Sequence, residues 1–256
     1  AATHRYIGDF KQLDLIEQYP RYKLSLRAGA EEYLTDHQTN IKEHIKSGDR
    51  LFLPGSSVKG AILSALLWYV FKDVAGKKRK ELIGHIKEKK NNSLMNLFFK
   101  EIAKNTNSRN MKSMRFIRWI DISDSDMKHI NDTLEISLVL IKGSESANEQ
   151  PILYETIKSG ISFSMKLKPQ NICFSEAEIY DICGKFYSRV FNKEETKNVS
   201  QVKNLLRLGH GSSALATSLI ILAEDIGFTE YSVNIPKTRK RIDDTFSLGW
   251  CEIKSN

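Results

Sequence analysis

A Gly-Ser-Ser triplet occurs twice in this chain, each time ahead of a helical pattern. The first is Pro54-Gly55-Ser56-Ser57, and the pattern becomes periodic from Val58. The second is Gly209-His210-Gly211-Ser212-Ser213, ahead of a helix expected to run to about Ile226. The first turn of a helix has backbone N–H groups with no intrahelical partner and carries partial positive charge. Glycine lets a second backbone come close, and serine adds hydroxyl donors, so such a start can hold an anion. Lys59 adds a full charge to the first turn of the first helix, and Arg207 stands just ahead of the second loop. The competing explanation is ordinary capping by serine with glycine making the turn. A nucleotide-binding P-loop is excluded by residue order: Lys59-Gly60-Ala61 follows Gly55 where Gly-Lys-Ser/Thr is required.

A second basic feature is Pro236-Lys237-Thr238-Arg239-Lys240-Arg241. Four cations close together in an extended segment suit a phosphate backbone, because each contact releases counterions; a solvated loop is the alternative. Lys and Arg total 39 against 31 Asp and Glu, a formal charge of +8 that favours a polyanionic partner without specifying one. Catalytic arrangements are harder to find. His210 is the histidine set in a glycine-rich loop, where it could serve as a general base in RNA cleavage or simply contact nucleic acid. Asp121, Asp124 and Asp126 lack the spacing of a calcium loop and read as capping carboxylates. Cys173, Cys183 and Cys251 are too few and too scattered for a disulfide scaffold or a zinc site. No metal and no cofactor are expected.

These residues need a scaffold, and 256 residues with 41% hydrophobic content suffice for one large domain or two small ones. No apolar run is long enough to span a bilayer, so a cytoplasmic protein is expected. Lys142 to Pro151, rich in Gly, Ser, Asn and Glu, reads as a linker and divides the chain into modules 1–146 and 147–256. Val58, Ala61, Ile62, Ala65, Leu66 and Tyr69 share one helix face. The basic runs 77–80 and 87–90 read as a solvated helix surface or loop. Arg50–Leu53, Arg115–Ile122, Leu134–Ile141, Ile161–Lys168, Tyr231–Ile235 and Gly249–Ile253 read as strands. Ser175 with Glu178 forms a capping box whose helix gathers Ile179, Ile182, Cys183, Phe186 and Val190 on one side. A second helix is expected to end at Leu206, and Gly227 to end a third in a left-handed conformation. Helices and strands mix without βαβ alternation, which favours α+β with antiparallel sheets.

Taken together, these stretches resemble a family. LFLPGSSVKGAILSALL is similar to the PGSS-x-KGA signature of the RAMP proteins, the repeat-associated RNA-binding subunits of CRISPR systems, and LRLGHGSSALATSLI resembles their late glycine-rich loop. PILYETIKSGISFSMKL, MRFIRWIDISDS and IPKTRKRIDDTFSLGWCEI resemble further segments of the fifth-subunit family of the type III-A (Csm) effector complex, in the same order. Leu63 stands where that family often has Arg. The resemblance implies tandem ferredoxin-like (RRM-like) modules and a non-catalytic, guide-RNA-binding subunit that caps the backbone filament at the guide 3′ end. Its implied partners are guide and target RNA and other RAMP subunits in a hetero-oligomer, with no membrane. The implied RNA-binding residues are Gly55, Ser56, Ser57, Lys59, Arg207, Gly209, His210, Gly211, Ser212, Lys237, Arg239, Lys240 and Arg241. A repeat-processing endoribonuclease using His210, or a target-cleaving subunit using a loop Asp, are the alternatives. If both glycine–serine loops meet one RNA backbone, they must converge on one face.

Overall fold

The structure, a computed structural model, describes residues 21–36, 39–88, 94, 96–98, 100–101, 120–142, 150–169, 174–195, 204–217, 219–234, 239–242 and 246–254. Two compact units divide the chain, each built from three separated stretches: 1–54, 124–165 and 237–248 in the first, 55–123, 166–236 and 249–256 in the second. These units do not coincide with the halves expected from a cut near residue 146. The residues on either side of that cut, Leu134–Lys142 and Gln150–Ile157, pair antiparallel in one sheet, with Ile141 opposite Gln150. A polar Gly/Ser-rich segment has the same composition whether it links domains or joins two strands of a hairpin.

In the first unit, the sheet runs in the order Phe246–Ser247, Arg239–Ile242, Leu134–Lys142, Gln150–Ile157, Ile41–Lys42. The first three junctions are antiparallel; Ile41–Lys42 joins in parallel, as does Ser25–Leu26 along Leu134–Lys142. Leu134, Val139 and Leu153 are fully buried, and the buried Ser137 and Thr156 hydroxyls satisfy one another at 2.6 Å. Arg50–Leu51 forms the centre of a second antiparallel sheet, between Lys46–Ser47 and Lys128–His129.

Glu155 is buried in this unit and accepts from Tyr22 Oη at 2.8 Å, the His44 backbone N–H at 2.8 Å and Lys46 Nζ at 2.5 Å. Burial opposes the Lys46 charge, but its bonds to Glu155 and Tyr22 outweigh that and raise its pKa. The network is fully satisfied, as a buried carboxylate requires.

Exposure alternates along Ile161–Lys168 as expected, yet only Leu167–Pro169 enters a ladder, against Ile120–Ile122. Backbone and side-chain bonds outside a ladder hold the rest. Ser164 N–H donates to the Asp126 carboxylate at 2.7 Å while Asp126 N–H donates to the Ser164 carbonyl at 3.0 Å. Asp126 is thus the capping carboxylate expected of that cluster. Burial opposes its ionisation, but Lys128 and the Ser164 N–H hold its pKa below the ordinary value. A carboxyl lowered in the folded state contributes stability above its unfolded pKa and loses it as pH falls through the folded one. Asp126→Asn is therefore expected to remove part of the stability measured by urea at pH 6 and to narrow the difference between pH 6 and pH 3. An unchanged pH dependence would refute the coupling.

In the second unit, the Gly55–Phe71 helix packs against Glu176–Glu195. Val58, Ala61, Ile62, Ala65 and Leu66 are buried as their spacing requires, and so are Ile179, Ile182, Cys183, Phe186 and Val190. Tyr69 is instead 37% exposed, while Leu67, Trp68 and Phe71 are buried, so towards its C-terminus the helix buries residues beyond the expected face. The capping box forms: Ser175 N–H donates to Glu178 at 2.7 Å and Glu178 N–H donates to Ser175 Oγ at 3.3 Å. The basic run 77–80 lies exposed on the Gly76–Lys87 helix, where Arg79 donates to the Ile226 and Gly227 carbonyls. Gly227 has a φ of 69°, as expected of a helix terminator. Among the described residues, no helix is long and apolar enough to cross a membrane.

Three elements of this unit differ from expectation. Leu205–Arg207 is a strand, not the end of a helix: it pairs antiparallel with Trp250–Glu252, which lies far along the chain and leaves no local sign. Thr229–Asn234 forms 3₁₀ turns where a strand was expected. The helix after the glycine-rich loop is divided into Ala214–Thr217 and Ile220–Asp225.

Candidate nucleic-acid interface

The two glycine–serine segments meet. A cleft of about 520 Å³ in the second unit is lined on one side by Ser56, Ser57, Gly60, Ala61 and Ser64. Its other side is Arg207, Leu208, Gly209, His210, Ser212, Ala216 and Thr217, with Tyr187 also lining it. Burial raises the Tyr187 phenol far above its ordinary pKa, and its hydroxyl donates to the Ala61 carbonyl at 3.0 Å.

The two sides are built differently, and neither is quite the expected loop. Gly55, Ser56 and Ser57 already belong to the first turn of the 17-residue helix. Gly55 does allow a close backbone approach, but the backbone is the chain's own: an added Cβ would lie 2.4 Å from the Ile122 carbonyl oxygen and 2.6 Å from that of Ser123. On the second side, Gly209–Gly211 is a single 3₁₀ turn followed by a four-residue helix, too short for an appreciable macrodipole. Ser213 caps that short helix, accepting from Ala216 N–H at 3.2 Å. The capping explanation therefore accounts for this half.

Arg207 requires a correction. Its side chain is 0% exposed and ion-paired to Glu194, also 0% exposed. Its Nε and Nη2 donate to the Gly211 carbonyl at 3.1 and 2.9 Å, and its guanidinium lies 4.8 Å from the centre of the Trp250 ring. Arg207 shapes the loop from within; its charge is committed before any ligand arrives. Glu194 also accepts from Ser213 Oγ, so one buried carboxylate ties both ends of the loop. Glu194 carries no signal in the sequence, because a Glu near the end of a charged helix looks like any solvated residue. The Leu-Gly-Trp ending belongs to the same assembly. Leu208 N–H donates to the Gly249 carbonyl at 2.8 Å, and Trp250 stands opposite Arg207 in the strand pair.

The other expected residues are distributed as follows. Lys59 is not among the cleft-lining residues; at about 100° per residue it lies well off the Ser57–Gly60–Ser64 stripe. His210 and Gly209 are exposed at the cleft, while Gly211 is buried. Lys240 and Arg241 lie on a strand of the first unit and are not among the cleft-lining residues. Lys240 Nζ sits 5.7 Å from the Tyr154 ring centre, and burial lowers its pKa. Arg239 belongs to the same strand, and Lys237 lies outside the described residues. Among the described residues, no cluster of His, Cys, Asp and Glu is arranged to hold a metal ion.

Fold and cleft together define an α+β protein with antiparallel sheets and a cleft lined by a helix start and a glycine-rich loop. The chain belongs to the RAMP superfamily, whose family pattern matches residues 22–214. No curated protein matches it in sequence. One similar solved structure is a chain of a Csm–crRNA–target RNA ternary complex of a type III-A CRISPR-Cas system, determined by cryo-EM. It has a TM-score of 0.62 at 17% identity, covering 92% of this chain and 81% of that one. Csm5 of T. onnurineus has a TM-score of 0.53 at 17% identity, covering 94% of this chain and 86% of its own. At such identity the likeness is one of fold.

Proposed function

We propose that this chain is a non-catalytic guide-RNA-binding backbone subunit of a type III-A CRISPR ribonucleoprotein, capping the filament at the guide 3′ end in antiviral defence. Guide RNA, target RNA and neighbouring RAMP subunits are its partners. One observation carries the reading: the two segments that most resemble RAMP motifs, far apart in sequence, line a single cleft. RNA recognition there is of backbone and shape, because a guide's bases must stay free to pair. The subunit role itself rests on the motif resemblance and on the fold shared with Csm structures.

Gly60 offers the sharpest test. It lies in mid-helix, where glycine is disfavoured by about 0.5–1 kcal/mol relative to alanine. It is exposed at the cleft, and an added Cβ would meet nothing within 4 Å. Gly60→Glu is expected to weaken RNA binding at least about tenfold, through bulk and negative charge, while the melting temperature holds or rises. Gly211 is a poorer site for this test, because it is buried and its carbonyl accepts two Arg207 bonds. Unchanged RNA affinity in Gly60→Glu would remove the cleft from the RNA path.

The endoribonuclease alternative places His210 in the cleft. No carboxylate is among the described residues lining it. The expected result is no RNA cleavage by the purified chain, with or without divalent metal. Cleavage that disappears in His210→Ala would establish the enzymatic reading instead.

A further inference from the structure

We propose that the cleft selects RNA over DNA by accepting hydrogen bonds from ribose 2′-hydroxyls; this rests on the RNA-binding reading above. Among the hydroxyl side chains that line the cleft, those of Ser64, Ser212 and Thr217 have their protons already committed. Ser64 Oγ donates to the Gly60 carbonyl at 3.0 Å, and Thr217 Oγ1 donates to the Ser213 carbonyl at 2.9 Å. Ser212 Oγ makes a longer bond of the same kind to the Arg207 carbonyl, at 3.5 Å. A hydroxyl has one proton and two acceptor lone pairs. A carbonyl can only accept, so in each bond the hydroxyl's proton goes to the protein. These groups therefore present lone pairs to the cleft.

A phosphate oxygen is also an acceptor and gains nothing from such a wall. Arg207, the formal cation of the described lining set, is neutralised by Glu194. At Ser64, Ser212 and Thr217 the cleft thus offers what a hydroxyl proton needs. In a nucleic-acid backbone, the group that supplies such a proton at every sugar is the 2′-hydroxyl, and DNA has none. Ser64 and Thr217 come from different helices, Gly55–Phe71 and Ala214–Thr217, so a strand entering the cleft meets acceptors from both.

The test measures binding of the purified full chain to one sequence in three forms at one salt concentration: RNA, single-stranded DNA and 2′-fluoro RNA. The 2′-fluoro sugar keeps the RNA-like pucker but has no proton to donate. A neutral hydrogen bond contributes roughly two- to tenfold in affinity. Two of them predict RNA binding about tenfold or more tighter than DNA, with 2′-fluoro RNA falling to the DNA level. Ser64→Ala combined with Thr217→Ala is expected to narrow the RNA–DNA gap to about threefold or less and to leave DNA affinity unchanged. Alanine is the stronger helix former at both positions, so the double variant folds, as a thermal melt would verify. Equal affinity for RNA and DNA, or 2′-fluoro RNA binding as tightly as RNA, overturns the proposal. Failure of all three to bind removes the RNA-binding function itself, and the proposal with it.

Discussion

Glu194→Ala is expected to destabilise the chain by about 3–5 kcal/mol, the range for breaking a buried ion pair by removing one partner. Both side chains of the Glu194–Arg207 pair are fully inaccessible to water. Without the carboxylate, the guanidinium keeps its bonds to the Gly211 carbonyl and its place against Trp250, but its charge is left uncompensated. The Ser213 hydroxyl loses its acceptor as well. Glu194→Gln keeps the shape and an acceptor oxygen, and should fall between wild type and Glu194→Ala. Glu194→Leu combined with Arg207→Met should regain much of the stability, because the desolvation cost disappears with the pair. It should not regain RNA affinity, because the Gly211 carbonyl loses the donors that hold the loop. Urea denaturation and RNA binding on these variants separate the two effects. A Glu194→Ala protein that unfolds at the wild-type urea midpoint would show that the pair does not hold the loop.

Gly249→Ala is the second large effect, expected at about 3 kcal/mol from a left-handed backbone and overpacking combined. Gly249 has a φ of 99°, and an added Cβ would lie 2.4 Å from the Leu208 carbonyl oxygen. That clash is with backbone beside the glycine-rich loop, so it cannot be relieved by a side-chain rotation. Gly209 is the control. Its φ of 70° is also left-handed, but its Cβ position is open, so Gly209→Ala should cost only about 1–2 kcal/mol. Equal melting temperatures for the two variants would mean that the Leu208–Gly249 approach is looser than described.

What could be read from the sequence was local or periodic. The buried faces of the two long helices followed from their spacing, and the capping box and the Gly227 terminator followed from residues within a few positions of one another. Tyr69 went the other way because the C-terminal part of its helix, 65–71, is wholly apolar and has no periodic signal to say which side faces water; Trp68 took the buried place and donates its indole N–H to Asp225 at 2.7 Å. Of the glycines and serines expected to hold an anion, Ser213 caps a helix and Gly55 clears a neighbouring backbone, while the Ser212 hydroxyl in the cleft donates to the Arg207 carbonyl.

By itself, the sequence determined the mixed α+β character, the motif segments and their order, and the excess of basic residues, because composition, periodicity and short-range capping are written in neighbouring positions. Only the tertiary structure decided that Arg207 is internal, that Glu194 matters, that Lys59 is turned off the cleft, and that Leu205–Arg207 pairs with Trp250–Glu252. Each of these depends on contacts between residues far apart in the chain. A cation written beside a glycine-rich loop looks the same whether it meets phosphate or a buried carboxylate; only the folded packing, which removes water from Arg207 and Glu194 together, settles which.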